Sequence, residues 1–544
     1  MIFKKLLLIL ALTTLLAPTL VGCEQPCTLT IFSITGENVS VIKAGTDDWI
    51  EGEVGMSLGV RDTIKTGDDS GAEITFVDGS TIELQAGTEI EVDSLATTDT
   101  GSTTIVLKQT IGSIIFRVTK LIDPASRYEV ETPTGVVAVR GSAVQVYVIE
   151  DGTTRAINLE GDIWAVAQGV ELQVPEGRQC IIRPDEPPEL IVEVTFADPN
   201  LEAAVRQVIS KPEGPIYSSD MDGLTDLYAE QRSISNLSGL EHCTSMTRVK
   251  LWKNQISDIS PLANLTNLTV LDLGGNRISD ISSLANLTSL TDLWLWGNRI
   301  SDISHLSNLT RLTMIDLGNN QIKDVSPLAD LTGLTTVHLE SNEINDMSPL
   351  TDLTDLTHLD LGLNQITDIS SLANLNNLTG LGLSGHPIDD ISRVVDLTKL
   401  TWLRLRDSQI IDISALRDLI GLTGLGLSSN RISDISPLAS LSSLTYLDLE
   451  DNEISDISPL ANLTSLTVLS LEHNQISDIS YLANLTSLMV LSLKYNQISD
   501  ISPLLDNEGI SEGDEVYLIG NPLSSDSINI YIPQLEARGV TVYY

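Results

Sequence analysis

Twelve aspartates stand 22 residues apart without a gap: Asp258, Asp280, Asp302, Asp324, Asp346, Asp368, Asp390, Asp412, Asp434, Asp456, Asp478 and Asp500. A column of carboxylates at this interval has two chemistries open to it. It can hold cations along a ribbon, or each carboxylate can accept hydrogen bonds from the backbone N–H groups of its own turn. Capping explains a strictly periodic Asp without any ion, and is the expected role. Asp68, Asp69 and Asp78 offer oxygen ligands of the kind calcium takes, but their turn positions read more simply as solvated. No metal and no cofactor is expected. Nor is an enzyme: His residues number six, and no Ser-His-Asp, Cys-His or metal-ligand spacing occurs.

The elements that must position these residues follow from the same period. Asn254, Asn276, Asn298, Asn320, Asn342 and Asn364 mark a register, His386 and Ser408 interrupt it, and Asn430, Asn452, Asn474 and Asn496 resume. Asn521 follows after a slip of three residues. Each unit reads Leu-x-Leu-x-x-Asn-x-Ile-x-Asp-Ile-Ser-Pro-Leu. A unit cannot bury its Leu and Ile alone, so successive coils stack into a solenoid. The register Asn is expected to satisfy backbone groups of neighbouring coils, with a local irregularity at His386 and Ser408. Ser before Pro, as in Ser260-Pro261, is expected to cap the short helical turn. This is the leucine-rich-repeat pattern, and with its preceding Asp198-Pro199-Asn200-Leu201-Glu202 helix it resembles the internalin-like bacterial class over roughly 198–544. The resemblance implies a parallel sheet on the concave face and short helical turns on the convex face.

Residues six, four, two and one before the register are expected to line the concave sheet. Between residues 246 and 506 there are seven aromatics, and six fall at these positions: Trp252, Trp294, Trp296, Trp402, Tyr446 and Tyr495. Those positions make up only 48 of the 261 residues, so the placement points to recognition. Trp, Tyr and Arg dominate binding hot spots, and Arg404 and Arg406 share a strand face with Trp402. Two sites are expected. Trp252 and Trp296 would stand about 10 Å apart across Gly274, so that a flat group docks over the glycine. Trp402, Arg404 and Arg406 would engage an acidic or aromatic partner.

The N-terminal stretch carries other chemistry. Lys4 and Lys5 precede an apolar run, Leu6 to Leu16, too short to span a bilayer. Leu20-Val21-Gly22-Cys23 then resembles the bacterial lipoprotein signal, which implies cleavage before Cys23 and a lipid on its sulfur. The expected localisation is exported and lipid-anchored, at the cell membrane or cell surface. No later run of about 18 apolar residues occurs, the length a spanning helix needs. Cys27 and Cys180 are candidates for a disulfide clamp, and Cys243 for a small buried apolar residue.

Residues 28 to about 183 alternate with a period near two between turn signals, which indicates an all-β sandwich, barrel or roll. Asp78-Gly79 between two alternating runs signals a hairpin. Further strands are expected at 113–118, 128–131, 136–140, 143–149 and 157–165, with Arg140-Gly141 a tight corner. Phe76-Val77-Asp78-Gly79-Ser80, then Thr132-Pro133-Thr134-Gly135-Val136-Val137-Ala138-Val139-Arg140-Gly141, then Leu159-Glu160-Gly161 resemble the FecR-type family. Its members include the periplasmic part of iron-uptake signal transducers.

The expected organisation is a signal peptide (1–22), a lipidated tether and first strand (23–44), the FecR-like domain (45–183) and a linker (184–197). A helical cap (198–223), the repeats (224–506) and a terminal repeat with C-terminal cap (507–544) follow. With 31 Lys+Arg against 74 Asp+Glu, the charge is -43. That disfavours nucleic acid and anionic lipid surfaces. Five Phe in the whole chain, none after Phe196, leave the core to Leu, Ile and Val. The expected function is protein or peptide binding on the repeat arc, in adhesion or envelope interaction. Envelope sensing through the FecR-like domain and glycan or cell-wall binding are the alternatives.

Overall fold

The computed structural model describes residues 29–98, 101–119, 123, 125–388 and 390–544. Cys23 and Cys27 lie outside the described residues. The chain divides between Glu193 and Val194 into two compact units.

The first unit is all β. Gly71–Thr75 and Thr81–Leu84 form the expected hairpin, closed by Phe76 N–H donating to Ser80 O at 2.9 Å, with Gly79 at φ +84°. Asp78 accepts from Ser80 N at 2.9 Å, and Asp69 from Asn38 Nδ2 at 3.3 Å and Ser70 Oγ at 3.0 Å. The ranges 136–140 and 143–149 are one strand, Val136–Val148. Arg140-Gly141 is a bulge in it and not a corner, because the long strand Thr154–Ala167 pairs on both sides of the register shift. Thr103–Arg117 pairs parallel with Arg127–Glu131, whereas the other pairs of this sheet are antiparallel among the described residues. Phe76 and Phe116 stack at 5.8 Å in the aliphatic core. Cys180 is buried there, and burial pushes its thiol up to about 12.

Two expected boundaries are corrected. Residues 23–44, expected to be a tether with a first strand, carry two strands, Leu29–Thr35 and Val39–Ile42, which pair into the sheet of the first unit. Residues 184–197, read as a linker, supply strands to both units. Glu189–Ile191 pairs with Gln179–Ile182, and Glu193–Val194 pairs with Ile216–Tyr217. The three prolines end at Pro188, and the alternating run after them is free to donate to a ladder.

In the second unit Asp198 caps the helix Pro199–Ile209, accepting from Asn200 N at 2.9 Å and Leu201 N at 3.3 Å. Its other oxygen accepts from Ser235 N at 2.7 Å and Asn236 N at 3.3 Å, tying the helix to the first coil. Burial opposes the charge, but these N–H donors outweigh it and hold the Asp198 carboxyl below the usual range. Among the described residues, fifteen short parallel strands, from Asp226–Tyr228 to Thr541–Tyr543, follow in chain order. The opposite side of the repeats carries 3-10 turns such as Ser260–Leu262, and the last repeat carries a short α-helix, Ser502–Asp506. Between them lies one aliphatic core, in which Leu251, Ile256, Leu262, Leu265 and Leu268 are wholly buried.

The asparagine ladder is present. Asn276 Oδ1 accepts from Ile256 N at 3.0 Å, and its Nδ2 donates to Leu251 O at 3.0 Å and Leu273 O at 2.9 Å. His386 replaces the amide with a neutral ring. Ile366 N–H donates to its Nδ1 at 3.2 Å, so the ring proton sits on Nε2 and goes to Leu361 O at 2.7 Å. Burial lowers the imidazole pKa, in keeping with the neutral form. Ser408 is too short to do the same. Its Oγ reaches Leu383 O at 3.3 Å, but Ile388 N–H turns back to His386 O at 2.8 Å. The irregularity therefore falls where Ser408 stands.

All twelve column aspartates cap their own turns. Asp258 Oδ1 accepts from Ser260 N at 2.8 Å, and the same bond recurs in every coil through Asp500 and Ser502. The serine is therefore the donor and not the cap. The carboxylate two residues earlier reaches the first orphan N–H, and the serine side chain makes no capping bond. These bonds hold Asp280, Asp302, Asp346 and Asp368 below the usual carboxylate range.

Candidate functional site

Each strand is only three residues long, from six to four before the register, as in Arg248–Lys250. The residue two before the register continues the ladder, with Leu251 N–H on Asp272 O and Lys253 N–H on Gly274 O. The residue one before the register is left-handed in all twelve coils, from Lys253 at φ +53° to Tyr495 at φ +53°. That position turns the chain and is not part of the sheet face. Tyr495 accordingly leaves the expected row. It stacks on His473 at 4.3 Å and covers Gly520 from the turn.

The first expected site does not form. The indole of Trp296 lies over Gly274, where an added Cβ would overlap it. Trp296 thus fills the gap that was to receive a flat group, because an apolar ring beside a bare glycine gains contact by folding onto it. Trp252 meets Lys253 Nζ at 5.0 Å instead. Trp294 is half-buried between Asp272 and Asp316, its partners in the parallel register. Burial raises the pKa of both aspartates.

The second expected site is assembled. Trp402 stacks on Tyr446 with ring centroids 5.4 Å apart and planes 29° apart. The coil between them contributes Gly424, whose missing side chain lets the rings meet. Arg404 lies 5.4 Å from the Trp402 ring. Arg404 and Arg406 are exposed, and neither forms an ion pair among the described residues.

On the other flank of Trp402 stands a feature that the pattern of large side chains does not announce. Gly380 and Gly382 carry no side chains, and from the coil on one side the His358 ring leans over Gly380 and the Asp360 carboxylate over Gly382, while the coil on the other side presents Trp402 with Arg404. The result is a notch of about 370 Å³, which His338, Leu359 and Leu381 also line. Paired glycines within one coil, Gly-Leu-Gly at 380–382 and again at 424–426, were the available signal. Next to the notch, His338, Glu340 and Asp360 bring donor atoms within 4.8 Å of one another. They are the one group among the described residues with the makings of a cation site. Burial raises the Glu340 pKa, and its Oε2 has no hydrogen-bond partner. Among the described residues no helix is long and apolar enough to cross a membrane.

Comparison with known proteins agrees with this architecture. The family described as leucine-rich repeats matches residues 266–308, 310–353, 420–462 and 464–506, and a single leucine-rich repeat matches 352–369. The FecR protein family matches residues 62–163. No curated protein matches in sequence. Among solved structures, a leucine-rich-repeat protein of Leptospira interrogans is 18% identical over 60% of this chain and 97% of its own, with a TM-score of 0.50, and shows the fold alone. An internalin of Listeria monocytogenes (inlF) is 39% identical over 58% of this chain and 94% of its own, with a TM-score of 0.55. A FecR-type domain thus stands before a repeat unit whose sequence and fold are both those of an internalin, and the chain belongs to the internalin family of leucine-rich-repeat proteins.

Proposed function

We propose that this is an exported envelope protein, held at the membrane by lipid on Cys23, whose repeat sheet binds a protein partner. One observation carries the binding role. The Trp402–Tyr446 stack sits on the sheet face beside two exposed guanidinium groups that have no internal ion pair among the described residues. Aromatic and Arg side chains gathered on a regular scaffold are what a protein-binding hot spot requires. A chain of charge -43 that keeps free arginines together on one face keeps them for a complementary surface. The anchoring role is supported by Lys4, Lys5, the short apolar run and Leu20-Val21-Gly22-Cys23. The FecR match favours a second reading, in which the first unit receives an envelope signal.

Intact cells expressing the full chain test both roles. Cross-linking should capture the same partner with the native protein and with a control such as Lys399→Ser, away from the sheet. Trp402→Ala with Arg404→Ala should lose it, and Cys23→Ser should release the protein from the membrane fraction. A partner retained by the Trp402/Arg404 variant refutes sheet-face binding, and a Cys23→Ser protein that still sediments with membrane refutes the anchor.

A further inference from the structure

We propose that His338, Glu340 and Asp360 together bind a divalent transition-metal cation of the zinc type on the sheet face. The inference goes beyond partner binding and does not require it.

The three ligands come from two neighbouring coils. Asp316, His338 and Asp360 are successive partners in the parallel register. Glu340 follows His338 by two residues, so both side chains take the same face. His338 Nδ1 and Glu340 Oε2 lie 4.0 Å apart, and one ligand atom from each of the three residues lies within 4.8 Å of the others. A point between them is within about 2.8 Å of every donor (the longest side divided by √3), and zinc takes nitrogen and oxygen at about 2.0–2.2 Å. An inward shift of under about 1 Å by each side chain closes the difference. His338-x-Glu340 is no metal spacing by itself. Asp360 lies 22 residues beyond His338 and joins the group only because the coils stack.

Two features separate this group from an ordinary acidic patch. Glu340 Oε2 is shut off from solvent and has no hydrogen-bond partner among the described residues, which leaves a strong acceptor unmet. Burial, and then repulsion from Asp360 and Asp316, raise the Glu340 pKa, and a dication offsets both effects. The second feature is the space cleared around the carboxylates. Glu340 lies over Gly318, where an added Cβ would meet its Oε1 at 2.5 Å, and an added Cβ at Gly362 would stand 3.2 Å from Asp360 Oδ1. That oxygen accepts from Gly362 N at 2.9 Å, a bond that orients the carboxylate and leaves Oδ2 for the cation. The donor set selects the metal. Imidazole suits zinc and its transition-metal neighbours, whereas calcium and magnesium take oxygen donors. Two carboxylates and a neutral imidazole balance a double positive charge. Three protein ligands leave a fourth tetrahedral position. His338 and Asp360 also line the notch of about 370 Å³, which gives that position room for water or an outside ligand.

The test is calorimetric titration of the metal-stripped full chain with Zn²⁺ alone, and with Ca²⁺ and Mg²⁺ in parallel. One Zn²⁺ should bind per chain, about tenfold or more tighter than either other ion. His338→Ser, Glu340→Gln and Asp360→Asn should each weaken it about tenfold or more, since loss of an outer-shell partner already costs that much. Ser470 occupies the same row as His338, and the two amides keep the shape of the acids they replace, so the coils should stay folded. Matching melts without metal check this, and saturating Zn²⁺ should then raise the melting temperature of the native chain alone. Asp448→Asn, in the same row but outside the group, should bind as the native chain does. In native protein labelled with ¹⁵N-histidine, Zn²⁺ should shift the ring nitrogens of one residue, whose signals His338→Ser lacks. Zinc binding that survives all three substitutions overturns the proposal. Equal binding of Ca²⁺, or binding lost with either carboxylate but unchanged by His338→Ser, overturns it in favour of an acidic patch only. Saturation by Zn²⁺ that moves no histidine ring nitrogen overturns it on the native chain by itself.

Discussion

At the scale of single residues, the register position shows how one side chain sets the local chemistry. Asparagine supplies both an acceptor and donors, so one residue satisfies groups on two coils at once. His386 does so only while it is neutral. Its folded pKa is lowered by burial from the ordinary value near 6.5. Protonation therefore favours the unfolded chain. The contribution of His386 is complete above about pH 6.5 and is lost as pH falls through the lowered folded value. His386→Asn should remove this dependence: thermal melts of the variant and the native protein should converge near neutrality and separate toward pH 5. Parallel curves over that range would show that the ring does not titrate as its burial requires.

At the scale of elements, the glycine strands decide what a sheet face of three-residue strands can hold. Gly424 lets Trp402 and Tyr446 stack. Gly424→Val should leave the strand intact, because Val270, Val468 and Val490 stand in the same row. The added Cβ meets the Trp402 ring, so the stack should break at a cost of about 1 kcal/mol. Near-UV circular dichroism should lose the contribution of the pair, and an unchanged spectrum would place the ring elsewhere. At this scale the sequence was partly readable. The coils, strands, turns and the Trp402–Arg404–Arg406 grouping follow from periodicity, since position in a 22-residue repeat prescribes which face a side chain takes. Whether a large side chain folds onto its neighbour or stands free is not prescribed. Trp296 and Trp402 both adjoin a glycine. Trp296 covers Gly274, which was to be its binding gap, and Trp402 covers Gly424.

At the scale of the whole repeat unit, stability is a chain of nearest-neighbour contacts, and its ends need closure. Asp198 closes the first end by joining the cap helix to Ser235 and Asn236. Asp198→Ala should cost about 2–4 kcal/mol, the loss of a cap together with buried N–H groups left unpaired. The cost should be local: amide exchange should accelerate in Pro199–Ile209 and the first coil, while the central coils keep their protection. Uniform acceleration along the solenoid would show that the repeats unfold as one unit. Sequence by itself determined the two fold classes, the repeat register, the aliphatic core and the role of the aspartate column, because each depends on local spacing and on which groups a coil must bury or satisfy. Tertiary structure alone decided that the residue before each register position turns away from the sheet, that Glu189–Ile191 belongs to the first sheet, and that His358, Trp296 and Trp402 lean over neighbouring glycines. Those outcomes depend on which way side chains lean across coils and on which strands find an edge, and both are settled by contacts between residues distant along the chain.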